Sequence, residues 1–191
     1  RFSIPKISQT ESDSESENGE IPKITKSVQE FIQEFMSEKD WSFQGIVIKD
    51  LSGNRLRFRN EKYQLVKSLR GNTSNQLIRF IMLFQQNITK KYLEYYPSET
   101  TLFEFYNVIL ITLVNTIFNH YKNLHMLKNI QREDIDKMYW PHLYNLHGIY
   151  LANMRDKNQK LSVVDIHLYL QKQPWQRVVF LMNKFMEELG L

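Results

Sequence analysis

TLFEFYNVILITLVNTIFNHY (101–121) is the stretch on which the fold turns. Leu102, Phe103, Phe105, Tyr106, Val108, Ile109, Leu110, Leu113, Val114, Ile117, Phe118 and Tyr121 leave it no wide polar face, so a helix here is apolar on most sides. Such a helix belongs at the centre of a bundle. Ser98 with Thr101 is its expected start, one residue beyond Pro97. Its longest apolar run, Val108 to Phe118, is interrupted by Thr112, Asn115 and Thr116 and is shorter than the roughly 20 residues a membrane span needs, so no membrane partner is expected.

The segments on either side share the helical period. Val28, Phe31, Ile32, Phe35 and Met36 fall on one face of a helix that Ser27 and Glu30 open as a capping box and that ends near Lys39. A helix from Glu61 carries Tyr63, Leu65, Val66 and Leu69 and stops at Gly71-Asn72. Thr73 or Ser74 is the expected cap of the next, with Leu77, Ile78, Ile81, Met82 and Phe84; KKYLEYYP then closes before Pro97. Arg132 to Met154 reads as one or two helices interrupted at Trp140-Pro141. Ser162 and Asp165 open another, and Pro174 opens the last. Gly (6) and Pro (5) are scarce in the 191 residues and 42% are apolar, which favours helix and allows a substantial core. The expected class is α+β and predominantly α: a small β-hairpin element followed by a helical bundle domain. The organisation expected is an acidic segment at 1–20, a β/α element at 21–70 and a helical domain at 71–191.

The hairpin is FQGIVIKDLSGNRLRFRN (43–60), two apolar runs around a Ser-Gly-Asn turn. Ile46 and Ile48 point one way, Val47 and Lys49 the other; Leu56 and Phe58 oppose Arg55, Arg57 and Arg59. Gly45 marks a bulge or a close backbone approach. Three guanidinium groups along one strand face are expensive to bury, so they are solvated or bound to an anion. Charge is uneven along the chain. Residues 1–20 carry −3, whereas the rest holds 23 basic against 16 acidic residues, or +7. Residues 8–20, SQTESDSESENGE, contain no apolar residue and read as a mobile acidic linker in which Ser12 and Ser14 have acid-directed phosphorylation patterns. The linker is bracketed by two copies of IPKI, at 4–7 and 21–24, each suited to a short edge strand.

IPK, an amphipathic helix, F-x-G-I-V-I-K-D, S-G-N-R and alternating basic residues follow one another in an order that resembles the C-terminal part of the nucleotidyltransferase domain of phage-type and giant-virus ATP-dependent RNA ligases. The resemblance covers residues 21 to 72. It implies that Gln44 stands where the family has a Glu beside the nucleotide, that Lys49 matches the strand-end Lys, and that Arg57 and Arg59 replace two phosphate-contacting lysines. Gln44 keeps a carbonyl acceptor but loses the charge that a cation needs. The K-x-D-G nucleophile motif of the family is absent from this sequence, and Lys49-Asp50-Leu51-Ser52-Gly53 has the wrong spacing. What is expected is therefore a degenerate, non-catalytic ligase-like domain that binds RNA or another polyanion, as a subunit of a viral assembly. Lys49, Arg55, Arg57 and Arg59, with Lys62, Lys67 and Arg70, are the expected phosphate contacts. ATP and Mg²⁺ would be cofactors only if the chain is the C-terminal part of an active ligase whose lysine lies upstream. A third alternative is a structural module whose arginine face pairs with acidic protein groups, including its own residues 11–20.

Other chemistry finds little footing. There is no cysteine, GxGxxG, Walker loop, GxSxG or HExxH. His120/His125 and His142/His147 are five apart, about 140° around a helix, so neither pair has the spacing of a chelate and no metal site is expected. The aromatic run YLEYYPSETTLFEFY (92–106) suits a core better than a base-stacking surface. Residues 1–12 lack the apolar core of a signal peptide, and with no cysteine a cytoplasmic location is expected.

Overall fold

The computed structural model of the protein describes residues 28–191, so the two IPKI copies, the acidic segment and the Ser27 cap lie outside the described residues. The chain divides into two compact units between Lys39 and Asp40. In the first, α1 (Val28–Ser37) ends where Ser37 Oγ donates to the Glu34 carbonyl, 2.7 Å; Phe31 and Phe35 stack at 6.5 Å and Lys39 lies over the Phe35 ring. The second unit holds both the hairpin and the helices that follow it.

That second unit is mostly helical, with one two-stranded antiparallel sheet, as expected. The sheet is β1 (Gly45–Lys49) and β2 (Arg55–Arg59). Then come α2 (Glu61–Arg70), α3 (Gln76–Gln85), α4 (Thr89–Tyr95), α5 (Thr100–Tyr121), α6 (Trp140–Asn153), α7 (Val163–Gln171) and α8 (Trp175–Glu188). α5 is the central helix. Leu110, Leu113, Val114 and Ile117 are buried on it, and it packs against α3, α6, α7 and α8. A single π-helical turn, Lys122–Leu127, prolongs it. By length and composition alone the continuous helical run Pro97–Leu127 is long and apolar enough to cross a membrane, longer than the uninterrupted apolar residues suggested.

Several helix boundaries differ from expectation, each for a local reason. α3 is capped by Asn75, whose side chain accepts from Ile78 N at 3.0 Å, rather than by Thr73 or Ser74. The Thr73 carbonyl is taken by Arg79 Nη2 at 2.6 Å. The segment before Pro97 is two helices, because Asn87 adopts φ 57° and ends α3. Ser98 caps nothing; Pro97–Glu99 forms one 3-10 turn and α5 follows from Thr100. Trp140-Pro141 starts α6 instead of interrupting a helix, since a proline in the first turn has no intrahelical N–H to lose. Ser162 and Asp165 do form the expected reciprocal cap of α7.

Arg79 holds the joint between α2 and α3. Only 5% exposed, it pairs with Glu99 at 3.0 Å, donates to Tyr92 Oη and reaches the Arg70 and Thr73 carbonyls. Tyr92 Oη donates to Glu99 at 2.8 Å, and burial together with that carboxylate pushes its pKa up to about 12. The buried arginine is thus fully used as a fastener.

Candidate anion-binding face

The strand register decides what the hairpin presents. Gly45 pairs with Arg59, Ile46 with Phe58, Val47 with Arg57, Ile48 with Leu56 and Lys49 with Arg55. Directly paired residues share a face, so Lys49, Arg55, Arg57 and Arg59 all lie on one side of the ribbon with Gly45 and Val47. Lys49 sits opposite Arg55, and like charges so placed are destabilising. No ion pair joins any of these four to a carboxylate among the described residues. Asp50, the acid nearest in sequence to Lys49 and Arg55, is engaged in the turn. Its carboxylate accepts from Asn54 N and Nδ2 at 2.7 and 2.6 Å, and the Asn54 side chain holds its pKa below the usual value.

Gly45 is required by the close approach of the strands. It has φ 141°, and a Cβ built there would lie 2.1 Å from the Phe58 carbonyl oxygen. Asn60, buried at the foot of β2, then ties ribbon to helix. Its side-chain oxygen caps α2 at Lys62 N, its Nδ2 donates to the Asp40 carbonyl at 2.7 Å, and its backbone N donates to the Gln44 carbonyl at 3.1 Å. One asparagine therefore sets the direction in which α2 leaves the ribbon.

The result is a cleft of about 320 Å³ between the basic face and α2. Gln44, Arg57 and Arg59 line one side; Tyr63, Gln64 and Lys67 line the other. Tyr63 and Lys67 are four apart on α2 and share a helix face, with the Lys67 ammonium 6.0 Å from the ring centroid. Gln44, Arg57, Arg59 and Lys67, each singled out in the sequence, are brought together. Lys49 and Arg55 extend the same face toward the turn. Lys62 and Arg70 do not line the cleft; Lys62 acts electrostatically on Asp40, and Arg70 lies over the Tyr96 ring at 5.7 Å. Tyr63, Gln64 and Asn60 were not singled out, because only the tertiary angle between β2 and α2 reveals their position.

The cleft offers guanidinium, ammonium, amide and phenol groups and no carboxylate. That donor set suits phosphate oxygens, guanidinium groups in bidentate fashion, and leaves a hard cation no charged ligand. Among the described residues no group of three His, Asp or Glu side chains is placed to hold a metal ion. The histidines pair differently from their sequence spacing. His125 stacks on His147 at 4.0 Å, while His142 is buried against Tyr169 Oη at 3.1 Å. Comparison with protein-family models, curated proteins and solved structures finds no match to this chain.

Proposed function

We propose that this chain binds RNA through the basic face of the ribbon and the adjoining face of α2, and that these residues bind without carrying out group transfer. The observation that carries the proposal is the collection of Lys49, Arg55, Arg57 and Arg59 on one ribbon face, without a described carboxylate partner, beside Lys67 across the cleft. A fold gains no stability from four like charges on one narrow surface, so their use is toward a ligand. The resemblance of residues 21–72 to viral RNA ligases agrees with RNA as that ligand. Gln44 in the position of the family's Glu agrees with binding in place of adenylyl transfer, since it gives a metal ion no charge.

The test is anisotropy of a labelled single-stranded RNA titrated with protein at several KCl concentrations. Arg57→Ala/Arg59→Ala together should weaken binding about tenfold or more near 0.1 M salt. Losing two phosphate contacts should also shallow the log–log salt dependence by about 1.4. Unchanged affinity and slope would sink the assignment.

A protein-assembly role draws on the opposite side of the same ribbon. Ile48 and Leu56 pair there, and Leu56 is 60% exposed, so half of the hairpin's apolar face is uncovered. If assembly is the function, Leu56→Ser alters the sedimented mass of the protein while the arginine pair leaves RNA affinity unchanged.

A further inference from the structure

A second basic, aromatic surface lies far along the chain from the ribbon and is absorbed by none of the functions above. The 131–137 segment, the first half of α6 and the start of α8 enclose a cleft of about 610 Å³, continuous in its lining with a neighbour of about 540 Å³. The two share Lys137, Pro141, Asn145 and Arg177. These volumes are in the range of small-molecule sites.

Its chemistry is specific in two respects. First, the charges lining it are all positive: Arg132, Lys137 and Arg177, with no carboxylate in either cleft. Three nearby acids are committed elsewhere. Asp134 accepts from Gln131 N, Asp136 from Met138 N, and Glu188 from Tyr139 Oη. Lys137 and Arg177 have no ion-pair partner among the described residues. Second, flat groups line the space beside them. Trp140 is fixed in plane because its Nε1 donates to both the Arg132 and Ile135 carbonyls, at 3.1 and 2.9 Å. The Arg132 guanidinium lies 4.0 Å from its ring centroid. Tyr144, one helical turn on and on the same face of α6, is 79% exposed. Asn145 spends one N–H on Tyr169 Oη, and its amide oxygen accepts no hydrogen bond among the described residues.

We propose that this cleft binds a nucleotide unit, with the base stacked on Tyr144, its edge read by Asn145, and the phosphate held by Lys137 and Arg177. Bases stack on tyrosine rings, and phosphate is the partner that unpaired Lys and Arg select. A polyanion alone would need no exposed aromatic ring, and a protein partner would be expected to need carboxylates at three separate points. The unit is either a free nucleotide or one residue of an RNA strand.

The test uses the whole chain carrying Arg57→Ala/Arg59→Ala, so that ribbon binding does not contribute. AMP, adenosine, inorganic phosphate and a ten-residue oligo(A) are titrated while amide resonances of α6 are followed by NMR. The expected result is saturable AMP binding with shifts at 140–145, and affinity for adenosine or phosphate about tenfold weaker or worse, because each lacks one half of the contacts. Tyr144→Ala should weaken AMP by about fivefold or more and Lys137→Ala/Arg177→Ala by at least as much. These three side chains are exposed, and an unchanged melting temperature excludes misfolding. Oligo(A) binding well above AMP identifies a strand as the source; equal binding identifies a free nucleotide. No saturable AMP or oligo(A) binding overturns the proposal, as does phosphate binding equal to AMP or a Tyr144→Ala variant that binds normally. None of these outcomes depends on what the ribbon does.

Discussion

Arg79 and Arg57 are the same residue put to opposite uses. Arg79 is enclosed where α2, α3, α4 and the start of α5 meet, and its guanidinium donates to Glu99, Tyr92, the Arg70 carbonyl and the Thr73 carbonyl. Arg57 lies on an exposed ribbon opposite Val47, with no acidic partner among the described residues. Burial obliges a charge to find every partner within the fold, and exposure leaves it available to a ligand. The bundle obeys the first condition throughout: among the described residues no buried side-chain nitrogen or oxygen lacks a hydrogen bond. The ribbon follows the second, and partners on a sequence basis alone cannot tell one arginine from the other.

The sharpest way to break this contrast is to remove both. Arg79→Ala leaves Glu99 without its cationic partner and two carbonyls without their donor, and should destabilise the protein by about 3–5 kcal/mol, a melting shift on the order of 10 °C. Arg57→Ala should stay within about 0.5 kcal/mol, because nothing in the fold uses it. Thermal unfolding by circular dichroism checks both. Equal losses would mean that the ribbon arginine is structural and would remove the ground for the RNA proposal.

How far the sequence shows this depends on the range of each interaction. α5 and the Ser162–Asp165 cap were legible because period and capping are decided within a few residues. The two faces of the ribbon were legible from alternation, although their pairing into a single four-cation surface needed the register. Thr73, Ser74 and Asn75 are all competent caps by residue type; Asn75 takes the role, while the Thr73 carbonyl goes to Arg79, a partner that the local pattern does not reveal. A proline in a helix start and a proline that interrupts one look alike until the neighbouring turn is seen, as at Trp140-Pro141. Asn60 was invisible as a hinge because two of its bonds reach back to Asp40 and Gln44 across the hairpin. The His125–His147 stack and the Arg132–Trp140 cleft likewise join segments that local patterns never place together.

A smaller perturbation separates ribbon from bundle without touching any charge. Gly45→Ala forces a Cβ to within 2.1 Å of the Phe58 carbonyl oxygen at a φ that L residues rarely adopt. The strain, about 1–3 kcal/mol, falls on a two-stranded sheet that has little to spare. Hydrogen exchange should show protection lost over 45–49 and 55–59 while the α5 amides stay protected. RNA affinity should fall with the ribbon although Arg57 and Arg59 remain in the chain. Loss of protection in α5 at the same time would show that ribbon and bundle fold as one cooperative unit.

The mildest test uses pH, because the bundle holds the histidines and the ribbon has none. Burial lowers the pKa of His120, His125 and His142 below 6.5; neighbouring His147 adds to the effect at His125 and Arg177 at His142, while Glu188 opposes it at His120. A histidine whose folded pKa is depressed binds fewer protons than the unfolded chain just below pH 6.5. Its stabilisation is therefore complete above that pH and is lost as pH falls toward the folded value. Each histidine contributes a slope of at most about 1.4 kcal/mol per pH unit within its window. The turn carboxylates Asp40 and Asp50 are also depressed, but from 3.8, so their losses come at much lower pH and do not overlap. Urea midpoints should be level between pH 8 and 7 and drop between pH 6.5 and 5. His142→Gln, which keeps an amide within reach of Tyr169 Oη, should flatten part of that drop. A midpoint that rises on acidification would show that the buried histidines are charged in the folded protein, and would reverse the assignment of neutral, packed imidazoles to the bundle.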